Sequence, residues 1–231
     1  MIMTAYLANH STGGIDLISI IHQSSEDQTL RTYKTQKLLR NEFLYTSPPD
    51  NDSIFIVKEG RIKIGTSDGE EKEIIKRVVG KGEMFGAFSI MGHRNQKDYA
   101  MAMEATEVYT LTSKELLNLI PDSNNLSQFF MQLLGNRLMD MEQRLEEMVF
   151  KTSRSRIITF LDKLVAKKGQ RIGYEMLVRK FFTHQEIASL TATSRQTVTS
   201  VLNDLRSRNI LTFNRRRLLV RDMDLLRAEV N

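Results

Sequence analysis

The chain has 231 residues, 41% of them hydrophobic and none of them cysteine; this allows one large or two smaller domains with proper cores, and two are expected. The missing cysteines exclude disulfides, thiolate-held iron–sulfur clusters and a thiol nucleophile. The formal net charge of +5 is unevenly spread: residues 1–150 hold 16 Lys/Arg against 21 Asp/Glu, net −5, and residues 151–231 hold 17 against 7, net +10, so the positive field sits on the last third, where it attracts a polyanion such as nucleic acid.

The opening segment, MIMTAYLANHSTGG, has neither the basic start nor the continuous apolar core of a signal peptide, and no apolar run approaches the ~20 residues that span a bilayer. A cytoplasmic chain with no membrane partner is expected. From about residue 30 to 112 the pattern is that of short strands. SIFIVKEGRIKIGTSDGEEKEIIKRVV alternates apolar and polar residues around Gly60 and around a tight-turn signal at Asp68-Gly69. Glycines at 80, 82, 86 and 92 punctuate the run as in a small antiparallel barrel or roll, and Pro48-Pro49 sit in a polar loop with Asp50, Asn51 and Asp52. No Gly-rich loop followed by Lys-Ser/Thr is present, which excludes a P-loop.

From about 124 to 151 the period becomes helical. Met131, Leu134, Leu138, Met141, Leu145 and Met148 are spaced 3, 4, 3, 4, 3, an a/d seam that suits a two-stranded coiled coil and hence a homodimer. The competing reading is that the stripe packs on the chain's own barrel, widened by Phe129, Phe130 and Val149.

From 152 onward compact helices are expected. FTHQEIASL places Thr183 three residues before Glu186, a capping box, with Ile187, Ala188 and Leu190 facing inward. A break at Thr191 to Thr193 leads into TATSRQTVTSVLNDL, where Thr193 and Gln196 form a second candidate capping box. Val198, Val201, Leu202 and Leu205 make an apolar stripe opposite Ser194, Arg195, Gln196, Thr199, Ser200 and Asn203. Helix, short turn, helix is the helix-turn-helix arrangement, and ILTFNRRRLLVRD reads as two short strands around a basic tip, Arg215, Arg216 and Arg217, a wing. The second helix of such a motif lies in the major groove of double-stranded DNA. Arg195 then grips guanine O6 and N7, Gln196 pairs with adenine unless it folds back as a cap, and the wing arginines touch phosphates or the minor groove.

At these residues the chain resembles the cyclic-AMP receptor protein family of bacterial transcription regulators, CRP/FNR. The resemblance runs from about Arg31 to Arg221, through IFIVKEGRIKI and GKGEMFGAFSIMGHRNQKDYAMA, the long helix, and FTHQEIASLTATSRQTVTSVLNDLRSRNIL. It implies an α+β chain: an N-terminal extension and antiparallel β-roll effector domain over 1–123, a dimerisation helix over 124–151, and a C-terminal winged helix-turn-helix over 152–231. It also implies a homodimer on a two-fold palindrome, and contact with RNA polymerase.

The departures concern the effector. Where cyclic-AMP-binding members carry Gly-Glu-Leu and an Arg-Ser pair that clasps the cyclic phosphate, this sequence has Gly86-Ala87-Phe88 and Lys97-Asp98. The family's Thr-Ser pair on the dimer helix aligns with Met141 and Glu142. Ala87 accepts no hydrogen bond, Asp98 repels an anion, and Lys97 is a point charge in place of a planar fork. Cyclic AMP is therefore not expected to bind usefully, no cofactor is expected, and the effector is unknown. In the DNA helix the family's Arg-Glu followed by an Arg becomes Arg195-Gln196 and Ser200, so a guanine is expected under Arg195 with other positions changed. Ala192 stands where a turn glycine is frequent. His10, His22, His93 and His184 read as surface or cap residues, so no metal or haem ligand set is expected. No catalytic residue is found, and an enzyme is not expected. The alternative is an effector-binding module that acts on a protein partner and not on DNA.

Overall fold

The structure, a computed structural model, describes residues 34–47, 53–67, 73–86, 98–119 and 123–230. The proline loop at 48–52, the Asp68-Gly69 turn, Gly92, His10, His22 and His93 lie outside the described residues. The chain divides into two compact units, with the boundary between residues 138 and 139, inside the long helix.

The first unit holds β1 (Lys34–Leu38), β2 (Phe43–Tyr45), β3 (Ser53–Glu59), β4 (Arg61–Ser67), β5 (Glu73–Gly80), β6 (Met84–Phe85), β7 (Asp98–Ala102), β8 (Thr106–Thr112) and the short helix α1 (Ser113–Leu119). All pairings are antiparallel, in two four-stranded sheets ordered β1-β8-β3-β6 and β2-β7-β4-β5. This is the antiparallel roll that the alternation implies. Its interior is filled by Phe55, Val57, Ile62, Ile64, Val79 and Phe85. Alternation fails in β3, where Ile54, Phe55, Ile56 and Val57 are all buried. The reason is that α1 covers β3 and β8, with Leu116 fully buried, so the second face of β3 is also shielded from water. Gly60 turns the chain from β3 to β4 at φ +89, and a β-carbon there would stand 2.6 Å from the carbonyl oxygen of Ala105.

The long helix α2 spans Ser123–Phe150, and α3 spans Ser153–Lys168. The second unit continues through β9 (Gly169–Ile172), β10 (Glu175–Arg179), α4 (His184–Thr191), α5 (Arg195–Ser207), β11 (Leu211–Phe213), β12 (Arg217–Val220) and α6 (Met223–Ala228). The segment after 152 is thus not only helical before the wing: the β9–β10 hairpin, turned at Gly173 with φ +61, joins the two wing strands in one sheet ordered β11-β12-β10-β9. Its strands are short and mostly exposed on β9, so no period of two marks them. Thr152 caps α3 by accepting from the Ser155 amide. Ile157, Phe160, Leu161 and Leu164 of α3 are buried, and Phe160 meets Phe182 edge to face at 5.6 Å. Each such side chain contributes about 1.5–3 kcal/mol by leaving water.

One charged contact is sealed inside this unit. The Lys163 ammonium on α3 donates to the Glu147 carboxylate on α2 at 2.5 Å, both side chains being only 6% and 5% exposed. Removing Glu147 takes from the buried Lys163 ammonium its 2.5 Å carboxylate partner, while replacing both by apolar groups removes the need for that pairing. Glu147→Ala should therefore cost about 3–5 kcal/mol in urea unfolding, and Glu147→Leu with Lys163→Leu should recover most of it.

Candidate nucleic-acid interface

Helix α4 opens with the expected capping box: Thr183 Oγ1 accepts from the Glu186 amide at 3.2 Å, and Glu186 Oε2 accepts from the Thr183 amide at 2.7 Å. Ile187, Ala188 and Leu190 are buried as read. The helix closes on Ala192 in the left-handed conformation, φ 50 and ψ 50, with its amide donating to Ala188. Thus the residue in the glycine position adopts the glycine geometry, at a cost of about 1–2 kcal/mol for a side chain. Arg156 on α3 stabilises the turn. Its guanidinium donates to the carbonyls of Thr191 and Ala192, and to Lys151 at the end of α2, each at 3.0 Å, so the orphan carbonyls of the α4 terminus are satisfied.

The second capping box does not form. Ser194, extended at φ −87 and ψ 150, is the N-cap of α5 and accepts from the Thr197 amide at 3.0 Å, while Thr193 Oγ1 pairs with Thr191 Oγ1 at 2.9 Å. The left-handed residue at 192 delays the helix by one position, and Gln196 is left exposed and uncommitted to a cap. Val198, Val201, Leu202 and Leu205 are buried, and Arg195, Gln196, Ser200 and Asn203 are exposed on the other face. Thr199 differs from these: it is half-buried, its hydroxyl donates to the Arg195 carbonyl at 2.9 Å, and it lies 2.9 Å from His184 Nδ1. With that hydroxyl proton committed, Nδ1 carries the hydrogen and donates to Thr199.

His184, the first residue of α4, also meets Phe213 edge-on at 5.5 Å, and the Arg206 guanidinium of α5 lies 5.3 Å from the same ring. Burial, and then the charge of Arg195, hold His184 below its ordinary pKa. At the other end of α5, Arg154 donates to Asp204 at 2.6 Å and to Glu229 at 2.8 Å, and Arg208 donates to Glu229 at 2.5 Å. Arg208 first and Arg154 second hold the Glu229 carboxyl down to about 2. The wing tip is closed by Asn214 Oδ1, which accepts from the Arg216 and Arg217 amides at 2.9 Å; Arg215, Arg216 and Arg217 are exposed, and Arg217 opens β12.

The other candidate residues lie elsewhere. Met131, Leu134, Leu138, Met141, Leu145 and Met148 of α2 are all exposed, from 38% at Leu134 to 71% at Met131. Val149 is likewise exposed, and only Phe129 of the flanking apolar residues is buried. Glu142 is exposed beside Met141. Of the effector set, Ala87, Phe88 and Lys97 lie outside the described residues. Gly86 adopts φ +87, and a β-carbon there would fall 2.6 Å from the Ser53 carbonyl. Asp98 is half-buried and ion-paired to Lys76 at 2.5 Å, so its charge is internally balanced. Among the described residues no three His, Asp or Glu side chains gather as a metal site, and no helix is long and apolar enough to cross a membrane.

Arg156, His184, Arg154 and Glu229 were not singled out as site residues. Their partners lie 35, 15, 50 and 75 residues away, and only the placement of His184 at a helix start was visible locally.

Residues 155–229 match the Crp-like helix-turn-helix domain and residues 35–123 the cyclic nucleotide-binding domain. The chain is 28% identical to the cyclic AMP receptor protein of Thermus thermophilus over 75% of this chain and 77% of that one. It is 24% identical to a CRP-like cAMP-activated global transcriptional regulator of Mycobacterium tuberculosis over 81% and 84%. In fold it is similar to a variant of CooA from Carboxydothermus hydrogenoformans, with a TM-score of 0.78, 24% identity and coverage of 94% and 96%. The c-di-GMP-responsive regulator CLP of Xanthomonas campestris gives a TM-score of 0.72 at 17% identity, over 86% and 99%.

Two outcomes are expected. Ala192→Gly relieves the left-handed strain against a looser unfolded chain, so urea midpoints should show a net gain of about 0.5–1 kcal/mol. Because His184 in the folded state titrates below its ordinary value, the unfolded chain binds that proton first on acidification. Its contribution is complete above about pH 6.5 and is lost as the pH falls through the folded value. Thermal melts from pH 7.5 to 5 should slope downward, and His184→Gln should flatten that slope.

Proposed function

Since the chain belongs to the CRP/FNR family and is a CRP-like DNA-binding transcriptional regulator, we propose that it acts in the cytoplasm as a homodimer on a palindromic DNA site, without cyclic AMP. The observation that carries the reading is α5: one face is anchored by four buried aliphatic side chains, and the other presents Arg195, Gln196, Ser200 and Asn203 to solvent. Seated in the major groove, Arg195 forks onto guanine O6 and N7, and Gln196, free of any cap, pairs with adenine. Ser194 and the first amides of α5 face phosphate, and Thr199 sets the Arg195 turn in place through its own hydrogen bonds. Arg215, Arg216 and Arg217 hold the backbone beside the groove.

Residues 124–151 serve dimerisation. A stripe of six exposed Met and Leu residues at heptad spacing would leave water by packing against the same stripe of a second copy. Residues 1–123 form the effector domain. The position that would meet a cyclic phosphate holds the Asp98 carboxylate, which has no hydrogen to donate to a phosphate oxygen and already occupies Lys76 at 2.5 Å; this supports a dimer that is competent without that ligand. Contact with RNA polymerase follows from the family.

Selection of the ligand-free protein from a random duplex pool should recover a palindrome with guanine at matching places in both halves. Arg195→Ala should lose about 1–3 kcal/mol of discrimination at that base, roughly 5- to 150-fold. Leu138→Asp should sediment as a monomer and release the site. Retention of an unchanged preference by Arg195→Ala, or of the dimer by Leu138→Asp, would contradict the corresponding assignment. Isothermal titration with cyclic AMP should show no micromolar binding.

A further inference from the structure

We propose that Arg179 on β10 is a phosphate-binding residue which, with Arg217 opposite it at the start of β12, forms a second anchor for the DNA backbone beside the wing tip. The inference rests on the DNA-binding function above and adds, in Arg179, a contact from outside the recognition helix and the wing hairpin.

Strands β10 and β12 are antiparallel, and Arg179 and Arg217 are direct cross-strand partners. Residues so paired point to the same face with their β-carbons about 4.5–5.5 Å apart, and like charges there repel. Both side chains are exposed, and neither forms an ion pair among the described residues. The acidic groups of the neighbourhood are engaged elsewhere: Glu175 pairs with Arg221 at 3.8 Å, Glu186 closes the α4 capping box, and Asp222 caps α6. The chain also holds this arrangement against backbone preference. Lys180, directly after Arg179, has φ 54, and the next amide, Phe181, donates to the Arg216 carbonyl at 3.0 Å, fastening the end of β10 to the wing tip.

A fold that roots two exposed arginines at opposed strand positions, with no carboxylate paired to either among the described residues, places like charges side by side in the free state and relieves them when an anion bridges the pair. A phosphodiester fits that role, because each guanidinium presents parallel N–H donors to two of its oxygens. The wing carries the arginine triplet along the backbone next to the groove, so the phosphate is supplied by the duplex that α5 reads.

The test is the salt dependence of binding by the full-length protein to its selected duplex. Arg179→Gln should flatten the plot of log Kobs against log salt by about 0.9 for each lost phosphate contact, about 1.8 for a dimer. Affinity should fall several-fold at low salt, base preference should stay unchanged, and the DNA-free protein should melt no lower than wild type, since a repulsion has been removed. A conventional structural role for Arg179 would instead lower the melting temperature and leave the slope alone. Wild-type binding with an unchanged Arg179→Gln slope overturns the anchor and leaves the DNA-binding reading standing. A wild-type protein that does not bind duplex at any salt overturns both.

Discussion

The geometry of the helix-turn-helix surface depends on one guanidinium. Arg156 gathers the carbonyls of Lys151, Thr191 and Ala192, which belong to the end of the long helix and to the turn between the two helices of the motif. Those carbonyls have no helical partners, and an unpaired buried carbonyl is costly. By satisfying three of them at once, the side chain lets a residue with a β-carbon hold the left-handed turn that aims α5. The buried apolar stripe of α5 then supplies adhesion, and Arg156 supplies direction.

A comparable division of labour holds between α2 and α3. Hydrophobic contact alone permits sliding, because one aliphatic side chain fits against another in several registers. The Glu147–Lys163 pair adds an orientation-dependent contact between α2 and α3. Its net contribution to stability is small once desolvation is counted, but a displaced pair would leave two buried charges unmatched. The pair thus restricts the registers available to the end of the long helix.

What was legible in the sequence was whatever depends on near neighbours. The capping box at Thr183 and Glu186 spans three residues, and the Val198–Leu205 stripe repeats at helical spacing, so both appear in the structure as read. The second capping box failed by one position because the left-handed turn at Ala192 moved the N-cap from Thr193 to Ser194, a shift of the size that separates pattern from geometry. The β9–β10 hairpin was hidden because β10 pairs with the wing some 40 residues on and the two strands bury only Leu177 and Val178. The full burial of β3 depended on α1 arriving from a later part of the chain. Arg156 and Glu229 carried no local signal at all, since each acts through partners brought close only by the tertiary fold.

The ring of Phe213, the last residue of β11 before the tip turn, meets both His184 of α4 and Arg206 of α5, so the wing is fastened to both helices of the motif. On the proposed reading, the groove-reading helix and the backbone-gripping wing are thereby linked into one template whose separation is set by those contacts. Any mismatch between that template and straight B-form DNA must be taken up by the duplex, through bending or a change in groove width. Flexible pyrimidine–purine steps deform at lower cost than stiff A-tracts. Base pairs that no side chain touches thereby acquire a preferred sequence, written in the mechanics of the DNA.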